Sequence, residues 1–203
     1  MKNLTDQQKG SLLAFIAVMF ITPDSLFIRL SSVDTWGLVF YRGIIPFFTV
    51  FLVMLIIYRL SFFKMLFSSG YHGLIYIGTF SITNITFVVS IQNTNVANTL
   101  LMIATAPMLS AILGAVFLKE PPDKKTLVSI IITFLAIIYI FFDSIKLGNF
   151  YGDLLGFITA IGLAVGAVTI RSAKTKNLVP AAVVGKLFVA TFALFFIESF
   201  VLE

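Results

Sequence analysis

The sequence has no cysteine, one histidine and few charged residues. Without cysteine it cannot form a disulfide, use a thiol nucleophile or bind a metal through thiolates, and His72 alone cannot supply a cluster of imidazole ligands. Asp, Glu, Lys and Arg make up 11% of the 203 residues, against about a quarter in soluble domains, while apolar residues make up 59%. The composition therefore predicts an integral membrane protein.

Motifs of membrane-embedded enzymes are also missing. The chain has no HExxH, no cluster of His and Asp, and no serine with a histidine partner. We therefore expect no enzymatic activity, no cofactor and no metal site. The formal net charge of +5 would suit a nucleic-acid partner in a soluble protein, but the basic residues lie in short connections between apolar runs. We expect contact with lipid and none with nucleic acid.

Seven apolar runs are long enough to cross a bilayer, which takes about 20 helical residues. They lie near residues 10–30, 36–58, 73–92, 96–118, 125–142, 152–171 and 180–201. The pattern predicts an all-α, polytopic helical bundle with seven spans and short connections. We expect the first run to remain as a helix, because it has span length and lacks a convincing cleavage site for a signal peptidase.

Lys and Arg between the runs are distributed unevenly, which predicts an orientation. With the N-terminus in the cytoplasm, the outer side receives only Arg29 and Lys146. The inner side receives Lys2, Lys9, Arg59, Lys64, Lys119, Lys124, Lys125, Arg171, Lys174 and Lys176. Positive charge favours the inner side, so we expect a multi-pass protein of the plasma (inner) membrane with a cytoplasmic N-terminus.

A stretch near the N-terminus recurs in the second half of the chain. Residues 10–29, GSLLAFIAVMFITPDSLFIR, align without a gap with residues 152–171, GDLLGFITAIGLAVGAVTIR. Five apolar helices separate the starts of the two copies, and an odd number of spans inverts the second copy. We therefore expect inverted five-helix repeats, with the first in residues 1–147 and the first two helices of the second in residues 148–203.

Two charged side chains fall inside the first two spans. Asp24 follows Pro23, which interrupts its helix by removing a backbone hydrogen bond, and Arg42 lies at matched depth on the antiparallel neighbour. An unpaired charge at the centre of a span costs about 2.5–3.5 kcal/mol, so we expect the two to face each other or water. The pair is either a brace for the first hairpin or part of a site that handles solute or protons.

Polar side chains form a stripe along the third span. Thr79, Thr83, Thr86 and Ser90 recur at helical spacing, with Asn84 beside them. Such a face should turn away from lipid, towards other helices or water. Solute binding is one interpretation and packing between helices is the other, because threonine can satisfy its hydroxyl on its own helix backbone.

The fourth span carries Asn98, Met102 and Thr105 on one stripe and Pro107 as a second irregularity. We expect the acid at its end, Glu120, to cap the helix or to pair with one of the nearby lysines, which are Lys119, Lys124 and Lys125.

The last two spans suggest packing. Gly162 and Gly166 have GxxxG spacing, which favours close contact between helices. Lys186 lies six residues after Pro180, near the inner end by the inversion, and roughly corresponds to Arg42. Because no acid is matched to it, we expect Lys186 to extend to the cytoplasmic interface.

Several of these segments resemble the EamA-type transporters of the drug/metabolite transporter superfamily. They are TPDSLFIRL (22–30), WGLVFYRGIIPFF (36–48), the run from NVANTLLMIATAP to FLAIIYI (95–140), and residues 152–171. In the resemblance Arg42 matches the arginine of span two. It implies two inverted five-helix repeats, export or exchange of small metabolites such as amino acids, and a cavity lined by the first, third and fourth helices of each repeat. Seven spans instead of ten imply a fragment, or a chain that completes its cavity by assembly, for example as a homodimer.

Together these features predict a secondary transporter that moves a small, amino-acid-like or related metabolite by alternating access. A channel or a non-transporting scaffold subunit is the alternative. Arg42 would attract a carboxylate or phosphate, and Asp24 would receive a proton or an ammonium group. The candidate solute-binding residues are Asp24, Arg42, Thr79, Thr83, Asn84, Asn98, Met102 and Thr105.

Overall fold

The computed structural model describes residues 6–21, 23–31, 33–174 and 176–197. Lys2 and the expected end of the last span near residue 201 lie outside the described residues. Within these ranges the chain forms ten α-helices and no β-strand. The helices are α1 (Asp6–Ile21), α2 (Asp24–Leu30), α3 (Thr35–Tyr58), α4 (Ser61–Ser68), α5 (Gly70–Asn93), α6 (Val96–Ile103), α7 (Ala106–Phe117), α8 (Lys124–Leu147), α9 (Phe150–Ser172) and α10 (Val179–Leu194).

Five stretches among the described residues are long and apolar enough to cross a membrane: α3, α5, α6 with α7, α8 and α9. The protein is therefore an all-α, polytopic membrane protein, as its composition predicts. The other two predicted spans are not continuous helices of that length. The first is divided between α1 and α2, and α10 is a shorter apolar helix.

Helix boundaries fall next to the two prolines that interrupt the spans. Helix α2 begins directly after Pro23, which has no N–H to donate to the preceding turn. The break in the fourth span comes at Ala104 and Thr105, and Pro107 lies in the first turn of α7, where proline is tolerated. The Pro23 break places Asp24 at the N-terminus of a short helix inside the bundle.

The threonine face of α5 packs against small residues of α9. A Cβ added to Gly162 would lie 2.2 Å from the Thr83 hydroxyl oxygen, and one added to Gly152 would lie 2.6 Å from the backbone carbon of Asn93. Across the same contact the hydroxyl oxygens of Thr86 and Thr159 are 2.7 Å apart. Only small side chains permit this approach of two backbones.

Helix α10 crosses α3 equally closely. A Cβ added to Gly43 would lie 2.7 Å from the backbone nitrogen of Ala190 and 2.9 Å from the carbonyl oxygen of Lys186. Buried apolar side chains of α2, α3, α5 and α10 surround this crossing and form one core cluster. Its members are Ile28, Val39, Val88, Ile91, Val189 and Ala193. The cluster fixes the four helices that carry Asp24, Arg42, Asn84 and Lys186.

The two matched arginines of the repeated stretch have different partners. Arg29 donates to the carbonyl oxygens of Ile91 at 2.9 Å and Gln92 at 3.3 Å, at the C-terminal end of α5. Arg171 forms an ion pair with Glu120. The expectation that Glu120 pairs with a neighbouring lysine is therefore wrong, because α9 brings Arg171 to the end of α7.

Candidate functional site

Charged and polar side chains of α2, α3, α5 and α10 meet between the helices. Asp24 comes from the first turn of α2, Arg42 from α3, Asn84 from α5 and Lys186 from α10. All four are partly accessible rather than sealed in the core. We refer to Asp24, Arg42, Asn84 and Lys186 as the polar cluster.

Arg42 and Asp24 form a bidentate ion pair, which is one of the two arrangements that their matched depth predicts. One Arg42 nitrogen donates to Asp24 Oδ1, and the other donates to Oδ2 at 2.8 Å. Each side chain keeps 29% of its surface exposed. The Arg42 guanidinium carbon also lies 5.9 Å from the centre of the Phe87 ring, within the range of a cation–π contact. The two side chains of this pair therefore neutralise each other.

Asn84 and Lys186 form the other half of the polar cluster. The Lys186 ammonium donates to Asn84 Oδ1 and lies 5.3 Å from the centre of the Phe80 ring. Asn84 in turn donates from Nδ2 to the carbonyl oxygen of Phe80 at 2.7 Å, which fixes its amide. The expectation that Lys186 extends to the cytoplasmic interface is wrong. Its carbonyl lies against Gly43, next to Arg42, and this crossing directs the ammonium into the bundle.

A sequence signal for Lys186 exists in the duplication. Gly43 and Gly185 are separated by the same number of residues as Gly10 and Gly152. Arg42 precedes one glycine and Lys186 follows the other, so at this spacing α3 and α10 each carry a cation beside a glycine that packs on another helix. The lack of a matched acid does not predict that Lys186 leaves the bundle, because its partner is the amide of Asn84.

The polar cluster carries an excess of positive charge. Asp24 contributes one negative charge, whereas Arg42 and Lys186 contribute one positive charge each. Both Asp24 and Arg42 are close enough to act electrostatically on Lys186. Among the described residues Lys186 has no carboxylate within ion-pair distance. The cluster is therefore suited to an anion rather than to a cation.

Three of the other predicted site residues contact α9 instead of the polar cluster. Thr83 is 8% exposed, donates to the carbonyl of Thr79 at 2.7 Å and packs on Gly162. The Thr79 hydroxyl also bonds its own helix, and its carbonyl lies near Gly162. Met102 is fully buried, with its Cβ 3.4 Å from the position of a Cβ on Gly156. These side chains are occupied by packing between helices.

Asn98 belongs to a separate buried network around Asp153, which sequence reasoning missed. Asp153 is fully buried in the first turn of α9 and accepts hydrogen bonds from the Thr94 hydroxyl and from Asn98 Nδ2, the latter at 3.1 Å. Thr105 bonds the backbone of α6 at Met102. The available signal was an acid at the start of an apolar run, where a helix N-terminus stabilises negative charge. This network joins the end of α5 and the start of α6 to α9.

An open cleft of about 520 Å³ lies between α5 and α10. Its lining is apolar apart from two hydroxyl groups, and one of these, Ser81, donates to the carbonyl of Gly185 at 3.0 Å. No group of three His, Cys, Asp or Glu side chains able to hold a metal ion occurs in the part of the chain that the structure describes.

Comparison with known proteins identifies a family. The family model described as the EamA-like transporter family matches residues 8–142, which is more than half of the chain. No curated protein and no solved structure matches the chain. The matched range contains three members of the polar cluster, Asp24, Arg42 and Asn84, and ends before Lys186.

Proposed function

The chain belongs to the EamA-like transporter family of the drug/metabolite transporter superfamily, and we propose that it is a secondary transporter of a small organic metabolite. The solute is amino-acid-like or a related metabolite, and it is exported or exchanged by alternating access. The proposed binding site is the polar cluster, in which Arg42, Asp24 and Asn84 were candidates from the sequence and Lys186 is added.

The polar cluster is the observation that carries this proposal. Charged groups within membrane spans are costly, and they are retained chiefly along solute or ion pathways. In this chain three charged side chains and an amide from four helices converge and stay partly accessible. A brace for the first hairpin would require Asp24 and Arg42 alone, whereas Lys186 adds an unneutralised charge that a brace does not need.

The helix breaks support the same assignment. Pro23 places the N-terminus of α2 beside the polar cluster, and interrupted helices at membrane depth are typical of transporter binding sites. We propose that residues 1–147 and 148–203 belong to inverted repeats whose relative movement opens the site to either side. Thr79, Thr83, Asn98, Met102 and Thr105 would then serve the contacts between moving helices.

Counterflow into proteoliposomes tests the proposed function. Liposomes loaded with an unlabelled small metabolite should accumulate the labelled form transiently, and uptake should saturate with external concentration. A channel would conduct without counterflow, and a scaffold subunit would give no uptake. Either result, with protein correctly inserted and a broad metabolite panel, would contradict the proposal.

The variant Arg42→Ala tests the site. We expect counterflow at least about tenfold lower at equal membrane content, corresponding to about 1.4 kcal/mol, because the proposed site loses one of its two cations and Asp24 loses its partner. Arg171→Ala is the matched control. It also breaks an ion pair, but one whose side chains are 52% and 54% exposed, and exposed pairs contribute little. Equal loss of insertion and transport in Arg42→Ala would return Arg42 to a structural role.

A further inference from the structure

Lys186 is a cation whose direct partners are uncharged. Its ammonium donates to the Asn84 amide oxygen and lies over the Phe80 ring. An ammonium has three N–H donors, and among the described residues only Asn84 accepts one of them. Its other donors therefore have no acceptor in the part of the chain that the structure describes.

Arg42 differs from Lys186, because its partner is a carboxylate. Its two terminal nitrogens each donate to a different oxygen of Asp24, so the guanidinium is committed to that carboxylate. A solute anion that approaches the polar cluster therefore meets two cations, of which one is already neutralised. Lys186 is the cation that retains both charge and donors.

The aromatic side chains around Lys186 strengthen its attraction for an anion. Phe80 lies beside Lys186 and Phe87 beside Arg42, so aromatic rings border the charges. Coulomb attraction grows as the local dielectric constant falls below that of water. A positive charge in a span is also costly without a partner, and an anion bound at Lys186 would offset that cost.

From these contacts we propose that Lys186 binds the anionic group of the solute, and that the solutes are small organic monoanions carrying one carboxylate. The single excess positive charge of the polar cluster sets the charge of the solute. A monocarboxylate neutralises it, a dianionic phosphate overcompensates it, and a zwitterionic amino acid leaves it unchanged. This inference rests on the proposed function and narrows its substrate class.

Ligand-induced stabilisation of the purified chain in lipid nanodiscs tests the inference without requiring transport. The probes are matched pairs of acid and primary amide, namely lactate with lactamide, benzoate with benzamide and nicotinate with nicotinamide. Alanine represents the zwitterion, and inorganic sulfate represents the dianion. We expect at least one acid to raise the Tm while its amide does not. At a ligand concentration of about 100 times Kd, binding stabilises the folded protein by roughly 2.7 kcal/mol.

Variants assign the effect to Lys186. Lys186→Gln, which keeps a donor for Asn84, should lose the acid-specific rise in Tm, and Lys186→Arg should retain it. Lys64→Gln is the control, because Lys64 is exposed on α4 and its loss removes the same charge from the protein. The rise in Tm that an acid causes in Lys64→Gln should equal the rise in the wild type.

Three results would overturn the inference: an acid and its amide that stabilise the wild type equally, no acid that stabilises it, or an acid-specific rise that persists in Lys186→Gln. The first two need no variant and stand even where Lys186→Gln does not fold. A counterflow measurement distinguishes failure of the monoanion inference from failure of the proposed transport function. Counterflow of neutral solutes alone would retain the transporter and reject the monoanion, whereas acid-specific stabilisation without counterflow of those acids would do the reverse.

Discussion

Asp24 is the only acid of the polar cluster, and its removal should have a cost that its charge alone does not explain. In Asp24→Asn the Arg42 guanidinium loses its bidentate carboxylate inside the bundle. We expect the free energy of unfolding to fall by about 1–3 kcal/mol, less than for a fully buried pair, because 29% of each side chain is exposed. Thermal or denaturant unfolding in nanodiscs measures it.

Asp34→Asn is the matched control for that change. Asp34 caps α3 by accepting from the backbone N–H groups of Trp36 and Gly37, and asparagine caps a helix equally well. The control removes the same charge at a helix N-terminus and should change stability by less than about 0.5 kcal/mol. An Asp24→Asn protein as stable as the control would mean that the ion pair contributes nothing to the fold.

At the scale of residues, the position of a charged side chain along its span could be predicted from the sequence, but its bonding partner could be predicted only in part. Counting from the ends of two antiparallel spans places Asp24 and Arg42 level, which predicts that they face each other or water, and in the structure they face each other. Lys186 could not be assigned in this way, because its neighbours depend on which helix α10 crosses. That crossing is set by the contact of Gly43 with Ala190, which lie far apart in sequence.

At the scale of helices, the crossing of α3 and α10 should fail when Gly43 gains a methyl group. A Cβ at this position would lie 2.7 Å from a backbone nitrogen and 2.9 Å from a carbonyl oxygen of α10, and backbone atoms cannot rotate away. We expect Gly43→Ala to lower the Tm and to weaken ligand binding, because Lys186 moves with the backbone that is displaced. Overpacking of this kind typically costs about 1–3 kcal/mol.

Gly78→Ala separates this clash from the effect of alanine itself. Gly78 lies in α5, and a Cβ there meets nothing within 4 Å. Alanine favours a helix over glycine by up to about 1 kcal/mol, so Gly78→Ala should leave the Tm unchanged or raise it. If Gly43→Ala behaves in the same way, the backbones of α3 and α10 are not in tight contact at Gly43.

The faces of the helices could be predicted from spacing, but their partners could not. The threonine stripe of α5 and the small residues of α9 each follow from helical periodicity, and both turn inward. The contact between these two faces depends on the tertiary packing of the helices, which periodicity does not predict. It explains why Thr83 and Met102, plausible solute contacts on the sequence alone, are occupied by α9.

At the scale of the molecule, composition is sufficient to predict a helical membrane protein. The duplication also predicts seven spans and an inverted second copy, and helix lengths alone do not test the inversion. Five stretches have spanning length, whereas α1 with α2 and α10 do not form continuous helices of that length. Pro23 explains the first case, because a proline divides the run. The orientation and the inversion depend on which side of the membrane each end occupies.

The absence of cysteine makes that question directly testable. Single cysteines placed at Lys9, Ser31, Asn149 and Lys176 lie at the two ends of each copy of the repeated stretch. With a cytoplasmic N-terminus and an inverted second copy, a membrane-impermeant maleimide applied to intact cells should label Ser31→Cys and Asn149→Cys. Lys9→Cys and Lys176→Cys should be labelled only after permeabilisation, because positive charge favours the inner side. Labelling of Lys9→Cys and Asn149→Cys from the same side would exclude an inverted repeat, and reversal of all four positions would keep the inversion but place the N-terminus outside.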